Sequence, residues 1–345
     1  MGPEDVTGEW LSTVFGATVD VVAQQRIGDG LVGMNLRVTL ESGHRDVPAS
    51  IVVKLPSPDP TSRATGIALR NYERETKFYD QIASTVDMRV PRCHHSDWTE
   101  ATGDFVIVLE DLAPAEQGDQ ITGCSVEMAR TAVLELARLH GPRWGDPTLD
   151  DVDWLARSTD PDSTAMLVGI WSMVLPGFLA TYGPLLSDDQ RAELDRFGPL
   201  LGTWADSRTA PFTVTHGDYR LDNLMFATDA GGDPITVVDW QSPGHGRGLA
   251  DVSYFLGAGP LPKDRRRIER GLIGEYCAAL RADYGVEIDD DWAWTEYRRE
   301  AFGGVVMAVV ASQIVGGTER SVGMFAAMAT RHLQHAIDLD SATLI

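Results

Sequence analysis

Apolar and polar positions alternate with a period of two over the first third of the chain, and with a period near 3.6 over most of the remainder. After a short helix at 9–15, residues 25–40 read as a strand pair whose second half, 35–40, alternates cleanly. A third strand follows at 48–55. Residues 64–84 carry Ile67, Leu69, Tyr72, Phe78, Tyr79 and Ile82 at helical spacing, which predicts one helix. The wholly apolar run 105–109 predicts a buried strand, stopped by Glu110-Asp111-Leu112-Ala113-Pro114, a polar bend that reads as a hinge. Beyond it the helical period takes over, at 126–140 (ended by Gly141-Pro142), 164–182 (with a break expected near Pro176) and 187–206. Two strands, 212–215 and 235–238, flank a polar stretch, and three further helices are predicted at 263–284, 291–316 and 319–339. The pattern predicts an α+β fold in two parts. Residues 1–112 are strand-rich, residues 113–345 are mainly helical, and 113–210 includes a helical insert.

Composition narrows the partners. The chain has a net charge of −22 and a pI near 4.6. Nucleic acid and anionic membrane surfaces would be repelled, whereas a cationic small molecule would be tolerated. The three cysteines, Cys93, Cys124 and Cys277, are widely spaced and odd in number. They read as reduced thiols of a cytoplasmic protein, with neither a disulfide framework nor a cysteine metal site. The N-terminus has no basic and apolar leader pattern, and the apolar run 302–315 reads as a buried helix. With only Lys54, Lys77 and Lys263 in the chain, a lysine inside an apolar strand stands out.

Candidate chemistry concentrates in Val214–Gln241. Asp218 follows the first of the two strands, Asn223 comes five residues later, and Asp239 ends the second strand. A hairpin of these strands would gather the three at one end. One carboxylate could then orient a hydroxyl, while an amide and a second carboxylate hold Mg²⁺, as phosphoryl transfer from a nucleotide requires. Each residue alone reads better as an ordinary turn or cap, and it is the ordered set that points to this chemistry. Lys54 sits after three apolar strand residues and needs an anion if buried. Glu75 of the following helix is the favoured partner and Glu73 the fallback, Glu73 also fitting an i,i+4 pair with Lys77. The glycines of Gly28-Asp29-Gly30-Leu31-Val32-Gly33 would let backbone N–H groups approach a phosphate, although a plain hairpin turn has the same composition. The hinge backbone could meet an adenine edge.

These residues carry a resemblance. His216-Gly-Asp218-Tyr-Arg-Leu-Asp-Asn223 with Val-Asp239-Trp-Gln resembles the aminoglycoside phosphotransferase/choline kinase-like family of small-molecule kinases. Val53-Lys54-Leu55-Pro56-Ser57, Tyr72-Glu-Arg-Glu75 and Leu249-Ala-Asp251-Val-Ser-Tyr-Phe look most like its ecdysteroid-kinase-like branch. The resemblance spans roughly residues 25–285. It implies a bilobal protein-kinase-like fold, with an antiparallel N-lobe that binds nucleotide and a helical C-lobe. It also implies ATP and Mg²⁺ as cofactors, and transfer of the γ-phosphoryl group to a hydroxyl of an aminoglycoside, amino alcohol, sugar or sterol-like alcohol. By the same resemblance Asp218 is the catalytic carboxylate, and Asn223 and Asp239 bind Mg²⁺. Lys54, held by Glu75, meets the α/β-phosphates, and Gly28 and Gly30 cover them. Glu110 and Leu112 offer backbone groups to adenine, His216 shapes the catalytic loop and Asp251 supports it from below. Only eleven residues separate Asp239 from Asp251, too few for a segment on which a peptide substrate could lie. A kinase-like module that binds nucleotide without transferring phosphate is the alternative.

Overall fold

The computed structural model describes residues 1–28, 32–157, 161–315 and 317–345. The alternation near the N-terminus becomes a five-stranded antiparallel sheet in the order β1-β2-β3-β5-β4. Its strands are β1 (Asp20–Ile27), β2 (Gly33–Glu41), β3 (Ser50–Pro56), β4 (Cys93–Thr99) and β5 (Asp104–Glu110). Ile51, Val53 and Leu55 of β3 bury one face, together with Leu36, Val38, Val106 and Val108, under a first helix, α1 (Gly8–Phe15). The strand period of two then turns Lys54 to the opposite face, where Ile107 is its cross-strand neighbour.

The helix expected over 64–84 is broken. α2 (Pro60–Ala68) ends before Arg70, whose φ of 58° is left-handed, and α3 (Asn71–Lys77) starts afresh before a π-helical turn at Phe78–Ile82. The break lets Tyr72 turn back over Gly66, where a Cβ would lie 2.6 Å from the ring. The Tyr72 hydroxyl donates to the Val32 carbonyl at 2.5 Å. No glycine or proline marks this break in the sequence, because the packing of Tyr72 sets it.

The rest is mainly helical. A short strand β6 (Glu116–Gln117) precedes α4 (Val126–His140), capped by Ser125. Then come β7 (Ala156–Arg157), α5 (Pro161–Tyr182), α6 (Asp188–Phe197) and α7 (Leu201–Asp206). α5 runs through Pro176 without the expected break; the proline lies on the exposed side, where water can take the carbonyl it leaves free. Asp162–Leu185 is long and apolar enough to cross a membrane by length and composition. In this fold its Trp171, Val174, Phe178 and Tyr182 join the main core.

β8 (Thr213–Thr215), β9 (Leu224–Thr228), β10 (Gly231–Val237) and β11 (Gly244–Gly246) follow. The expected hairpin is not made by the two strands foreseen. β10 pairs with β9, Val237 opposite Leu224, whereas β8 pairs with β11, Thr215 opposite Gly244. The chain closes with α8 (Gly248–Ala258), α9 (Pro262–Tyr284), α10 (Asp290–Arg299), α11 (Phe302–Ile314) and α12 (Glu319–Asp338). The single helix expected at 291–316 is thus two.

Phe302 of α11 and Phe197 of α6 stack at 4.0 Å with an interplanar angle of 2°, both fully buried. Trp204 of α7 meets Phe197 edge-on at 5.7 Å. Phe302→Ala should therefore destabilise the protein by about 3–5 kcal/mol. Chemical denaturation would measure it, and a loss well below 1 kcal/mol would show that this stack does not hold the helical insert.

Candidate active site

β3 delivers Lys54 into the space between sheet and helices, with its side chain 10% exposed. Its ammonium donates to Glu75 Oε1 of α3 at 2.5 Å and to Asp239 Oδ1 at 3.0 Å. Burial alone would lower the lysine pKa, but the carboxylates of Asp239 and Glu75 reverse this and hold it above its ordinary value. Burial likewise works to raise Asp239, and Lys54 outweighs it, keeping that carboxyl below the usual range. Glu73 makes the other pairing foreseen for it, with Lys77 at 2.7 Å, and also binds Arg70 at 2.7 Å. Asp239 has φ 67°, a strained conformation for a residue other than glycine.

The residues after Asp239 are fixed by aromatic packing. Trp240 is fully buried and stacks on Phe78 of the π-helical turn at 3.7 Å and 4°. On its other flank lies the His216 ring, 4.6 Å away. A π-turn inside a helix often re-aims a side chain at a functional site, and here it aims Phe78.

The loop after β8 carries Asp218. The Asp218 N–H donates to His216 Nδ1 at 3.2 Å, which makes Nδ1 the acceptor. The other ring nitrogen, Nε2, therefore bears the proton and donates to the Val238 carbonyl at 3.1 Å. His216 thus ties the loop to the segment bearing Asp239. From α8, Asp251 accepts the N–H groups of His216 at 2.7 Å and Gly217 at 3.0 Å. It also meets His140 Nε2 of α4 at 3.3 Å. Gly217 has φ 79°, and a Cβ there would fall 2.2 Å from the Ser242 carbonyl oxygen, so this position requires glycine.

Among the described residues, three side chains donate to the Asp218 carboxylate. Arg220 Nε reaches its two oxygens at 3.1 and 3.0 Å, Asn223 Nδ2 reaches Oδ2 at 3.0 Å, and the Tyr254 hydroxyl reaches Oδ1 at 2.8 Å. Asn223 Nδ2 also bonds the Asp218 carbonyl at 2.8 Å, so its Oδ1 is the end available to a cation. The Val238 N–H donates to the Asn223 carbonyl at 3.0 Å, which sets Asn223 beside the Asp239 segment. An amide oxygen and a carboxylate, with phosphate oxygens completing the shell, suit Mg²⁺. Arg220 also pairs with Asp222 at 2.7 Å, and Arg320 with Asp222 at 3.2 Å.

The structure therefore brings together Lys54, Glu75, Asn223, Asp218 and Asp239. Gly28 ends the described part of the glycine turn with φ 69°, and Gly30 lies outside the described residues. Glu110 holds Arg89 with its side chain at 2.8 Å, and its N–H is taken by the Arg92 carbonyl at 2.9 Å. The Leu112 carbonyl accepts from Ala115 at 2.8 Å. Glu110 also pairs with Ile51 of β3 at the end of the sheet, which places the backbone of 110–112 where the sheet passes into the helical part. Trp154, Trp171 and Tyr182 are buried in the core, and Trp144, Trp292 and Trp294 pack against it. Sequence reasoning gave no role to Arg220 or Tyr254. The signal for Tyr254 was its place one helical turn after Asp251, on the same face.

A family model described as the phosphotransferase enzyme family matches residues 25–298. No curated protein matches the chain in sequence. Among solved structures, a microcompartment-associated aminopropanol kinase is 15% identical over 94% of each chain, with a TM-score of 0.57. A GDP complex of a mutant aminoglycoside 2'-phosphotransferase is 14% identical over 88% of each chain, with a TM-score of 0.54. A related GDP and kanamycin complex is 12% identical over 88% of this chain and 91% of the other, with a TM-score of 0.52. These likenesses show a shared kinase-like, two-lobed α+β fold. With a family match that spans most of its length, the chain belongs to the phosphotransferase enzyme family.

Proposed function

We propose that the protein transfers the γ-phosphoryl group of ATP to a hydroxyl of a small molecule, using Mg²⁺. The observation that carries this reading is the continuous set Glu75–Lys54–Asp239 and Asn223–Asp218, joined through the Val238–Asn223 backbone bond. Lys54 is held where it can pair with α/β-phosphate oxygens. Asn223 and Asp239 would hold Mg²⁺, which neutralises charge on the transferring phosphate. Asp218 orients the acceptor hydroxyl and takes its proton. Positioning and charge neutralisation then supply most of the catalysis. The Glu110 carbonyl and the Leu112 N–H would meet the adenine edge. The GDP in the aminoglycoside phosphotransferase neighbours supports a nucleotide in this cleft. The eleven-residue link from Asp239 to Asp251 supports a small acceptor over a peptide.

Asp218→Ala is expected to lower kcat by about 10²–10⁴-fold, and Asp239→Ala to abolish turnover with the fold retained. Both would be measured as ADP formation across kanamycin, aminopropanol, ethanolamine, glucose and a sterol. Near-normal turnover in either variant would refute the assignment. Lys54→Ala should raise the KM for ATP by about tenfold, equivalent to about 1.4 kcal/mol; an unchanged KM would make Lys54 a structural residue.

In a thermal-shift assay, ATP with Mg²⁺ is expected to raise Tm more than ATP with EDTA, and Asp239→Ala to remove the difference. A shift in the wild type without turnover on any of these alcohols would favour the silent module.

A further inference from the structure

The three donors to the Asp218 carboxylate are not equivalent. Arg220 and Asn223 lie two and five residues further along the same loop, so they move with Asp218. Tyr254 is, among the described residues, the one donor from another element. It stands on α8 three residues after Asp251, which already holds the backbone N–H groups of His216 and Gly217. One helix face therefore grips the loop twice, through backbone at Asp251 and through the carboxylate at Tyr254.

Tyr254 is itself held by an unusual neighbour. Its ring stacks on His332 of α12 at 5.3 Å with an interplanar angle of 16°. His332 is 1% exposed, and neither ring nitrogen has a hydrogen-bond partner among the described residues. Two glycines make room for the ring. A Cβ on Gly304 of α11 would lie 2.0 Å from His332 Nδ1, and one on Gly257 of α8 would lie 2.5 Å from it. Burial drives the imidazole far toward its neutral form, with His335 and Arg265 acting in the same direction. A buried, uncharged ring without polar bonds, seated between two glycines, contributes its shape.

We propose that Tyr254 is a positioning residue for phosphoryl transfer: its hydroxyl fixes the Asp218 carboxylate relative to the helical core, and the His332 ring between Gly257 and Gly304 fixes Tyr254. This rests on the reading of Asp218 as the carboxylate that orients the acceptor hydroxyl. Without the Tyr254 hydroxyl, Asp218 would keep its loop partners but lose its reference to the fixed scaffold. Small displacements of such a group are costly to rate.

The test compares Tyr254→Phe, His332→Phe and His332→Ala with wild type and Asp218→Ala. The readout is ADP formation from Mg·ATP, with whichever of kanamycin, aminopropanol, ethanolamine, glucose or a sterol turns over fastest. Tyr254→Phe keeps the stack and removes one hydrogen bond to a charged group. It should lower kcat about 10-fold or more, with the KM for ATP unchanged and Tm lowered by no more than a few degrees. His332→Phe retains a ring in the slot and should stay within threefold of wild type. His332→Ala should lose about as much as Tyr254→Phe, and the double variant no more than either, since both act through one group. A Tyr254→Phe enzyme within twofold of wild type, beside an inactive Asp218→Ala, would overturn the positioning role alone. Equal ADP formation by wild type and Asp218→Ala would overturn the reading of Asp218 and the positioning role with it.

Discussion

A single ammonium group joins the two halves of this protein's cleft. Lys54 comes from the sheet, Glu75 from the helix behind it and Asp239 from the segment after β10, and the ammonium lies within 3.0 Å of both carboxylates. A buried lysine would otherwise lose its charge or destabilise the fold. Two carboxylates keep it ionised, and its bond to Asp239 helps to hold that residue in a left-handed conformation it would not choose. The geometry of the Asp239 carboxylate thus depends on a residue some 185 positions earlier in the chain. The broken α2–α3 helix, the π-turn and the sheet register all serve to bring these groups to one place.

The other half of the site is built on hydrogen bonds within the helical lobe. Asp251 binds two consecutive backbone N–H groups, while His216, in one defined tautomer, binds the backbone on each side. None of these groups needs to touch substrate. They convert a loop between two short strands, which would be mobile if left to itself, into a fixed platform.

Much of this was legible in the sequence wherever a residue contradicts its surroundings. A lysine after Ile51, Val52 and Val53 demands a counter-charge, and the following helix could supply it, so Lys54 and Glu75 could be paired without a structure. The order Asp218, Asn223, Asp239 likewise pointed to three polar groups gathered in one place, as the hydrogen bonds around them show. The strand partners were not legible, because β8 and β11 are three residues each and their pairing is set by distant packing. The break at Arg70 was hidden because it follows from Tyr72 packing over Gly66, and Pro176 misled because an exposed proline can be carried on a helix face. Tyr254 looked like one more apolar position of α8. Its hydroxyl acquires meaning once the register of that helix against the loop is known.

Trp240 directly follows Asp239, so its packing decides how freely the Asp239 segment can move. Here the indole is shut between Phe78 and His216. Pulling it out would expose a large aromatic surface, at a cost on the order of several kcal/mol. Asp239 is therefore held by the packing of its neighbour as well as by its ion pair, and moving this segment would cost the stack as well as the Lys54 contact.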